Sequence, residues 1–497
     1  MLSLREQVQR VVKLKDELRR NEIDRREFML LTATTSAVAF VAACSVGGSG
    51  SSGGSSKTSG QITVPLYTTE NDPGTLSFLT AAGVAYQKLH PNVSTPFNLY
   101  SDQLADTFIN TAFRAKHDVG IFSPNIRDIV GWAQQGFLLE LDSLIQEVGP
   151  DDFLSGTRVT SNGHDYSMPW QKSCSVTFYR TDVLQQVGAQ PPTTYDEWIS
   201  VLKEVHGRNG MIGMATGVGS DTPEVGLWMM HPFILQNGDG YFDKNGNLTY
   251  NRPGVFQGIQ NFVNILKNYS SRDFMNATFA DTLNAFISGR AVFAHYTGRI
   301  AANVWQGAPN LIGKVDVLSA EPGGPFMTGK LNMTFPKGYC IYSGTQSPTQ
   351  AMDYLKFITT GDNGVAYALT VPGQPMPPLK SVTAKFLDPT NALVKANPLM
   401  ADPNFFNIVK KLADYVPFAT SEETMMGSVN NSQFNPISNV NPFTGLIWKT
   451  NPPDSTMVQQ IILNGEDPQT AWKTAYTTMD GIAKTWHSQN KSWKPTT

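Results

Sequence analysis

Cysteine is scarce. Three cysteines in 497 residues exclude a disulfide scaffold. The seven histidines show no HExxH or HxH spacing, so no metal centre is marked, and no cofactor is expected. Charge of one sign is also missing. Lys plus Arg number 38 against 41 Asp plus Glu, a formal net charge of −3, which excludes a general nucleic-acid binder and a polybasic membrane-surface protein. The one long uncharged run, Phe28–Ala43, is shorter than the roughly 20 apolar residues that span a bilayer. No phosphate loop and no nucleophile elbow is present; the Gly/Ser tract spells GxSxG in letters but lacks a flanking strand and helix. No internal repeat is visible. What remains is ordinary globular material: 42 glycines added to the 40% hydrophobic residues give an apolar share of about 48%, ample for a sizeable core.

The first 44 residues differ from the rest. Residues 1–27 are charged, and the uncharged run follows directly. A basic region, a short apolar region and small residues before a cut site make a signal peptide, here spanning residues 1–43. Arg25-Arg26 in DRREFM resemble the paired arginines of a twin-arginine export signal, although the general secretory route stays open. Val41-Ala42-Ala43-Cys44 resembles a bacterial lipobox, in which the Cys44 thiol takes the diacylglycerol. Thirteen of the 16 residues from 45 to 60 are Gly or Ser, a slack coil with a reach of roughly 20–25 Å. The expectation is a lipid anchor at Cys44, a tether over 44–60 and a globular body held on the outer face of a bacterial cell membrane. Removing residues 1–43 takes away eight basic and six acidic residues, moving the formal charge from −3 to −5.

From Gln61 onward strand and helix signals alternate. Gln61–Tyr67, Val93–Leu99 and Asp118–Phe122 read as strands; Leu76–Leu89, Gln103–Ala115 and Arg127–Gln135 read as helices. Such alternation argues for an α/β fold with a mainly parallel sheet and helices on both faces, whose ligands bind at the carboxyl ends of strands. Trp198, Val201, Leu202 and Val205 keep helical spacing, as do Val255, Phe256, Ile259, Phe262, Val263 and Leu266; both stripes read as core. Tyr241–Tyr250 reads as a hairpin turning at Asn245-Gly246. As a calcium loop it fails, because Leu248 and Gly254 stand where Gly and Glu are needed.

Ordered landmarks across residues 61–490 resemble the extracytoplasmic solute-binding proteins of ABC importers, in particular the carbohydrate-binding family that includes maltose-binding protein. They are DVGIFSPNIRDIVGWAQQGFLLELD (118–142), GHDYSMPWQKSCSVTFYRTD (163–182), YFDKNGNLTYNRP, FISGRAVFAHYTGRIAANVW (286–305), Pro336–Phe357 and VPGQPMPP (371–378). The resemblance implies the two-lobed, type II periplasmic-binding-protein-like fold, each lobe a mainly parallel sheet flanked by helices. By analogy the hinge crossings fall near Ser173, His295 and Ile341. The first lobe is then 61–172 plus 296–341, the second 173–295 plus 342–490. The implied partners are a small-molecule carbohydrate and the permease subunits of an ABC transporter, with the membrane reached through the lipid anchor only, no nucleic acid, and a monomeric state.

A sugar needs flat aromatic faces for its C–H surface and planar polar side chains for its hydroxyls. Trp170 beside Gln171 offers a stacking ring and a hydrogen-bonding amide at the first crossing. Phe122, Ser123 and Asn125 follow the DVGIF strand, and Glu70 and Asn71 follow the first strand. Trp228, Tyr296, Arg299, Gln374 and Trp448 are the candidates from the opposite lobe and return path. For each, core packing, a helix cap or a solvated turn is the bland alternative. A buried Arg299 needs an anionic partner, which an acidic substrate group would supply. Cys174 and Cys340, on two crossings, either bridge the hinge or stay as buried thiols. Two rival classes are a lipid-anchored glycoside-acting enzyme, which needs two opposed carboxyls, and a sensory binding protein for another small solute.

Overall fold

Pro65 and Pro96 interrupt two neighbouring strands at matching places. Lacking an N–H, proline cannot donate to a ladder. Ile62–Thr63 therefore pairs in parallel with Val93–Ser94, and after the prolines Leu66–Thr68 (β1) pairs in parallel with Phe97–Leu99 (β2). This is the computed structural model of the chain. It describes residues 60–101, 105–219, 229–243, 246–318, 322–325, 333–415, 420–421, 428–430, 435–437, 443–448 and 451–493. The leader, Cys44, the tether up to Ser59, and Trp228 lie outside the described residues.

The remaining strands are Ile121–Phe122 (β3), Met168–Arg180 (β4), Ile212–Ala215 (β5), Ala291–Thr297 (β6), Val315–Val317 (β7) and Met333–Ile341 (β8). They join β1 and β2 in one sheet of order β2-β1-β3-β8-β4-β6-β5, with β7 also on β4 and Thr420–Ser421 on β8. Pairing is parallel at the two ends, β2-β1-β3 and β6-β5. It is antiparallel in the middle, where β8 meets β3 and β4, and β4 meets β6 and β7. Within each end the pairing is mainly parallel, as expected, and the sheet as a whole is mixed because the strands that run from one end to the other pair with each other in opposite directions. Ser173 lies opposite Phe335, His295 opposite Thr177, and Ile341 opposite Ile121.

Helices cover both ends. Pro73 opens the first of them, Pro73–Leu89, three residues before the apolar spacing begins, because proline suits the first helical turn. Thr194 and Glu197 form a reciprocal capping box at the start of Tyr195–Val205, whose Trp198, Val201, Leu202 and Val205 are all buried. In Pro253–Tyr269 the expected stripe is buried except Phe256, which stacks on Trp472 with centroids 4.6 Å apart. The expected hairpin is bridged at Phe242 and Leu248, with Gly246 at φ +75°; Asn245 of its turn lies outside the described residues. None of the described helices is long and apolar enough to cross a membrane.

The helical packing bears on the division of the chain. Pro348–Thr359 and Gly361–Ala368, assigned above to the second lobe, pack against Pro73–Leu89 at the β1 end. Arg299–Gly307, assigned to the first, packs on β6 and on Pro403–Tyr415. After β8 the chain returns to the end where it began, before crossing back. The short helix Thr444–Ile447 touches both Ile126–Gln134 and Pro468–Gln489.

Cys174 and Cys340 are free and buried. The register explains why. Cys174 faces Thr334, whereas Cys340 faces Phe122, and Tyr339 faces Met168. The thiols thus sit about six residues apart along the ribbon, roughly 20 Å at 3.3 Å per residue. Burial pushes the Cys174 thiol up to about 12. A thiol reagent should label neither in the native chain, and both after denaturation without reductant. A hinge disulfide would keep both blocked until reduced.

The turn Val371–Met376 binds the ends together. The Lys172 backbone N–H donates to the Met376 carbonyl at 2.8 Å, and the Ser173 hydroxyl donates to the Gln374 carbonyl. The Thr75 hydroxyl donates to Thr370 Oγ1 at 3.2 Å. Gly373, at φ +97°, lies on Gly298. A Cβ at Gly298 would stand 2.6 Å from the Gly373 carbonyl carbon and 2.7 Å from Leu412 Cδ1. Gly298→Ala should therefore cost about 1–3 kcal/mol by overpacking, read as a lower urea midpoint with an unchanged slope.

Candidate functional site

The site forms where the loop after β1, the middle of β8, the end of β6 and the Val371–Met376 turn meet. β1 ends at Thr68, whose hydroxyl accepts from the Glu70 backbone N–H at 3.1 Å and turns the chain sharply. Glu70 then meets Lys337 of β8, with Nζ 2.6 Å from Oε1. Two residues on, Asp72 pairs with Arg299, which opens the helix Arg299–Gly307. The Arg299 Nε–H donates to Gln374 Oε1 at 2.5 Å. Tyr296, at the end of β6, stacks on Phe279 with centroids 5.0 Å apart and rings inclined by 24°.

The site holds two carboxylates and two cations, each paired. Burial pushes the Tyr296 phenol up to about 12, with Arg299 and Lys337 pulling down and Glu70 and Asp72 pushing up. Tyr296 is thus a neutral hydroxyl at physiological pH and can donate. Burial is the largest single influence on the Arg299 guanidinium and works against it, but the hydrogen bond and charge of Asp72, with Tyr296 and Glu70, together hold it above its ordinary value. Chemically, the arrangement presents forked N–H donors, carboxylate acceptors, an amide, a phenol and one aromatic face. That set is chemically suited to hydroxyl groups.

Four of the expected residues come together here: Glu70, Tyr296, Arg299 and Gln374. Asn71 lies between Glu70 and Asp72 and is exposed. Gln171 is buried opposite Lys337 in the β4–β8 ladder, so the two share a face. Trp170 does not join them. The β4–β8 register shifts here, with Gln171 opposite Lys337 and Pro169 opposite Gly338, so the packing of Trp170 rather than strand alternation sets it apart. Trp170 lies parallel to Tyr367, centroids 4.6 Å apart and inclined by 7°, and is buried. Phe122 is also core, edge-on to Phe113 and Trp132. Trp448 is buried and donates its indole N–H to Asp454 at 2.9 Å. Ser123 is buried, its N–H bonded to the Tyr67 carbonyl at 3.0 Å. Asn125 occupies the N-cap of Ile126–Gln134 without a capping bond, and donates to Asp106 Oδ1 at 3.2 Å.

Arg299 finds its anion inside the chain, at Asp72, so the expectation of an acidic substrate group is withdrawn. Asp72 and Lys337 were missed. Asp72 reads locally as a helix cap before proline. Lys337 interrupts an apolar strand, TFPKGYC, and that interruption was the available signal.

Residues 84–402 match the family described as bacterial extracellular solute-binding protein. An arabinooligosaccharide-binding protein of Halalkalibacterium halodurans is 22% identical over 292 residues, 55% of this chain and 58% of that protein. An uncharacterised ABC transporter extracellular-binding protein of Pyrococcus horikoshii is 26% identical over 129 residues, 24% of this chain and 29% of that protein. The chain thus spans about a third to three fifths of the length of these curated relatives. Among solved structures, a maltose-bound MalE3 of T. maritima superposes with TM-score 0.67 at 18% identity, covering 85% of this chain and all of that one. A sugar transporter from Arthrobacter chlorophenolicus with bound laminaribiose gives 0.66 at 20% identity, covering 86% and 99%. These likenesses establish the two-lobed fold. With the family match covering well over half its length, the chain belongs to the bacterial extracellular solute-binding proteins.

Proposed function

We propose that this protein captures a carbohydrate between its two lobes and delivers it to the permease of an ABC transporter. The observation that carries the reading is the meeting of Glu70, Asp72, Tyr296, Arg299, Lys337 and Gln374, drawn from both ends of the sheet onto its crossing strands. Hydroxyl-rich ligands suit such a set, because a charged donor or acceptor makes a stronger hydrogen bond than a neutral one. The sugar ligands named for the relatives support the same class.

Following the packing, we assign residues 60–172 and 333–400 to the first lobe, and 173–318 and 403–493 to the second. Ligand contacts from both lobes stabilise a closed form, and the ligand shifts the population only through its preference for that form. The leader, the lipobox at Cys44 and the Gly/Ser tether support a reading in which the protein, a monomer, is anchored at the outer face of the cell membrane beside its permease.

Catalysis is not part of this reading. A glycoside-cleaving enzyme sets two carboxyls on either side of the scissile bond. The two carboxylates of this site, Glu70 and Asp72, stand two residues apart on one loop, and each is engaged by a cation.

A thermal-shift screen over neutral mono- and oligosaccharides tests the proposal. A true ligand at a hundredfold excess over its dissociation constant should add about 2.7 kcal/mol of stability, with a melting temperature that climbs with the logarithm of concentration. Silence toward every carbohydrate, with a response to peptides or polyamines, would overturn the assignment.

A further inference from the structure

We infer that Asp72 and Arg299 form a latch that holds the two lobes together without ligand and so sets the affinity of the cleft. The inference rests on the two-lobe reading above, and names Asp72 as an affinity-determining residue.

Asp72 is positioned to do something else. It is the N-cap of Pro73–Leu89, with extended backbone at φ −64° and ψ 136°, where an aspartate normally accepts from the first turn of its own helix. Its side chain makes no such bond. The carboxylate is turned instead to Arg299, 227 positions further along the chain and on the other side of the crossing strands. A local, favourable interaction has been given up for a long-range one.

Both partners are held from behind. The Asp72 loop is fixed by the bond from the Glu70 N–H to Thr68 and by Pro73. The Arg299 N–H donates to Thr297 Oγ1 at 3.2 Å, and its Nε–H is held by Gln374. The pair is largely sheltered, with 22% of the Arg299 side chain and 19% of the Asp72 side chain exposed. A sheltered pair loses more than a surface pair when its members separate, because each charge is left only partly solvated. The other ionised groups nearby, Glu70 and Lys337, satisfy one another and cannot replace either partner without breaking their own bond.

Separating the lobes parts Asp72 from Arg299, so the pair raises the closed fraction of the ligand-free protein. The apparent dissociation constant is the intrinsic one divided by the competent fraction. Breaking the latch should therefore weaken binding of any ligand by the factor by which the closed fraction falls.

The test needs no ligand. Dyes attached through Lys88→Cys and Lys203→Cys, both exposed and on different lobes, report the interlobe distance in the full chain carrying Cys44→Ser. The native Cys174 and Cys340 are buried and stay unlabelled. Without ligand, the parent should show mostly the short-distance population. Asp72→Asn and Arg299→Gln should each shift it toward the long one, and the charge swap Asp72→Arg with Arg299→Asp should recover the short one. Raising NaCl from 0.05 to 1 M on the unsubstituted pair, which needs no change at the latch, should lengthen the mean distance as screening grows. Identical ligand-free distributions in the parent and in Asp72→Asn, or no response to salt, would overturn the latch. Neither result touches the carbohydrate reading, which stands or falls on the thermal-shift screen.

Discussion

The backbone ladder between β4 and β8 is the constraint from which the rest follows. Met168–Cys174 pairs antiparallel with Thr334–Tyr339, and the second half of β4 passes on to β6. A strand shared by two sheet ends ties them while leaving a line about which they can rotate. It also sets which side chains share a face: by alternation Gln171 and Ser173 take one and Lys172 the other, while the register shift between Lys337 and Gly338 leaves Trp170 outside that pattern. Lys172 is buried on that other face, its ammonium donating to the Ser155 carbonyl at 2.5 Å. The aromatic stack of Trp170, Tyr367 and Phe78 is core.

Charge balance follows from burial. Partly sheltered carboxylates and cations are tolerated when paired, and costly when alone. Glu70–Lys337 and Asp72–Arg299 meet that demand within the chain, and Gln374 satisfies a second direction of the guanidinium. The site therefore requires no charge from its ligand. It offers oriented dipoles and paired ions, which a polyhydroxyl compound can join without leaving an ion unmatched.

Much of this was legible in the sequence, and the failures have physical causes. Helical stripes such as Trp198–Val205 gave buried faces correctly, since a 3.6-residue period reflects a one-sided environment. Glu70 was singled out because it follows the first strand, and Tyr296, Arg299 and Gln374 because of the family resemblance; the structure brings these four together. Phe122, Trp170 and Trp448 were misread because an aromatic residue looks the same whether it stacks on a sugar or on Tyr367. Asp72 and Lys337 were missed because their partners are far away in sequence: Glu70 and Lys337 are 267 residues apart. The lobe boundaries were hard to read for a related reason. Periodicity tells that Pro348–Thr359 buries a face, not that the face meets Pro73–Leu89.

The same geometry says which contacts an opening motion strains most. Gln374 is fastened to β4 through Ser173, and Met376 through Lys172, so the turn stays with the crossing strands. Gly298 and Gly373 meet with no side chains between them, a contact that can slide. Asp72 follows β1, and β3 stands between β1 and β8. Two strand spacings put β1 roughly 10 Å from the crossing strand. Displacement in a rotation grows with distance from its axis, so Asp72 moves furthest from Arg299, while Gln374 and Arg299 stay close. The guanidinium then keeps its amide partner and loses its carboxylate. In the open form it would present a half-satisfied cation to solvent, a group poised to recapture either Asp72 or the hydroxyls of an arriving ligand.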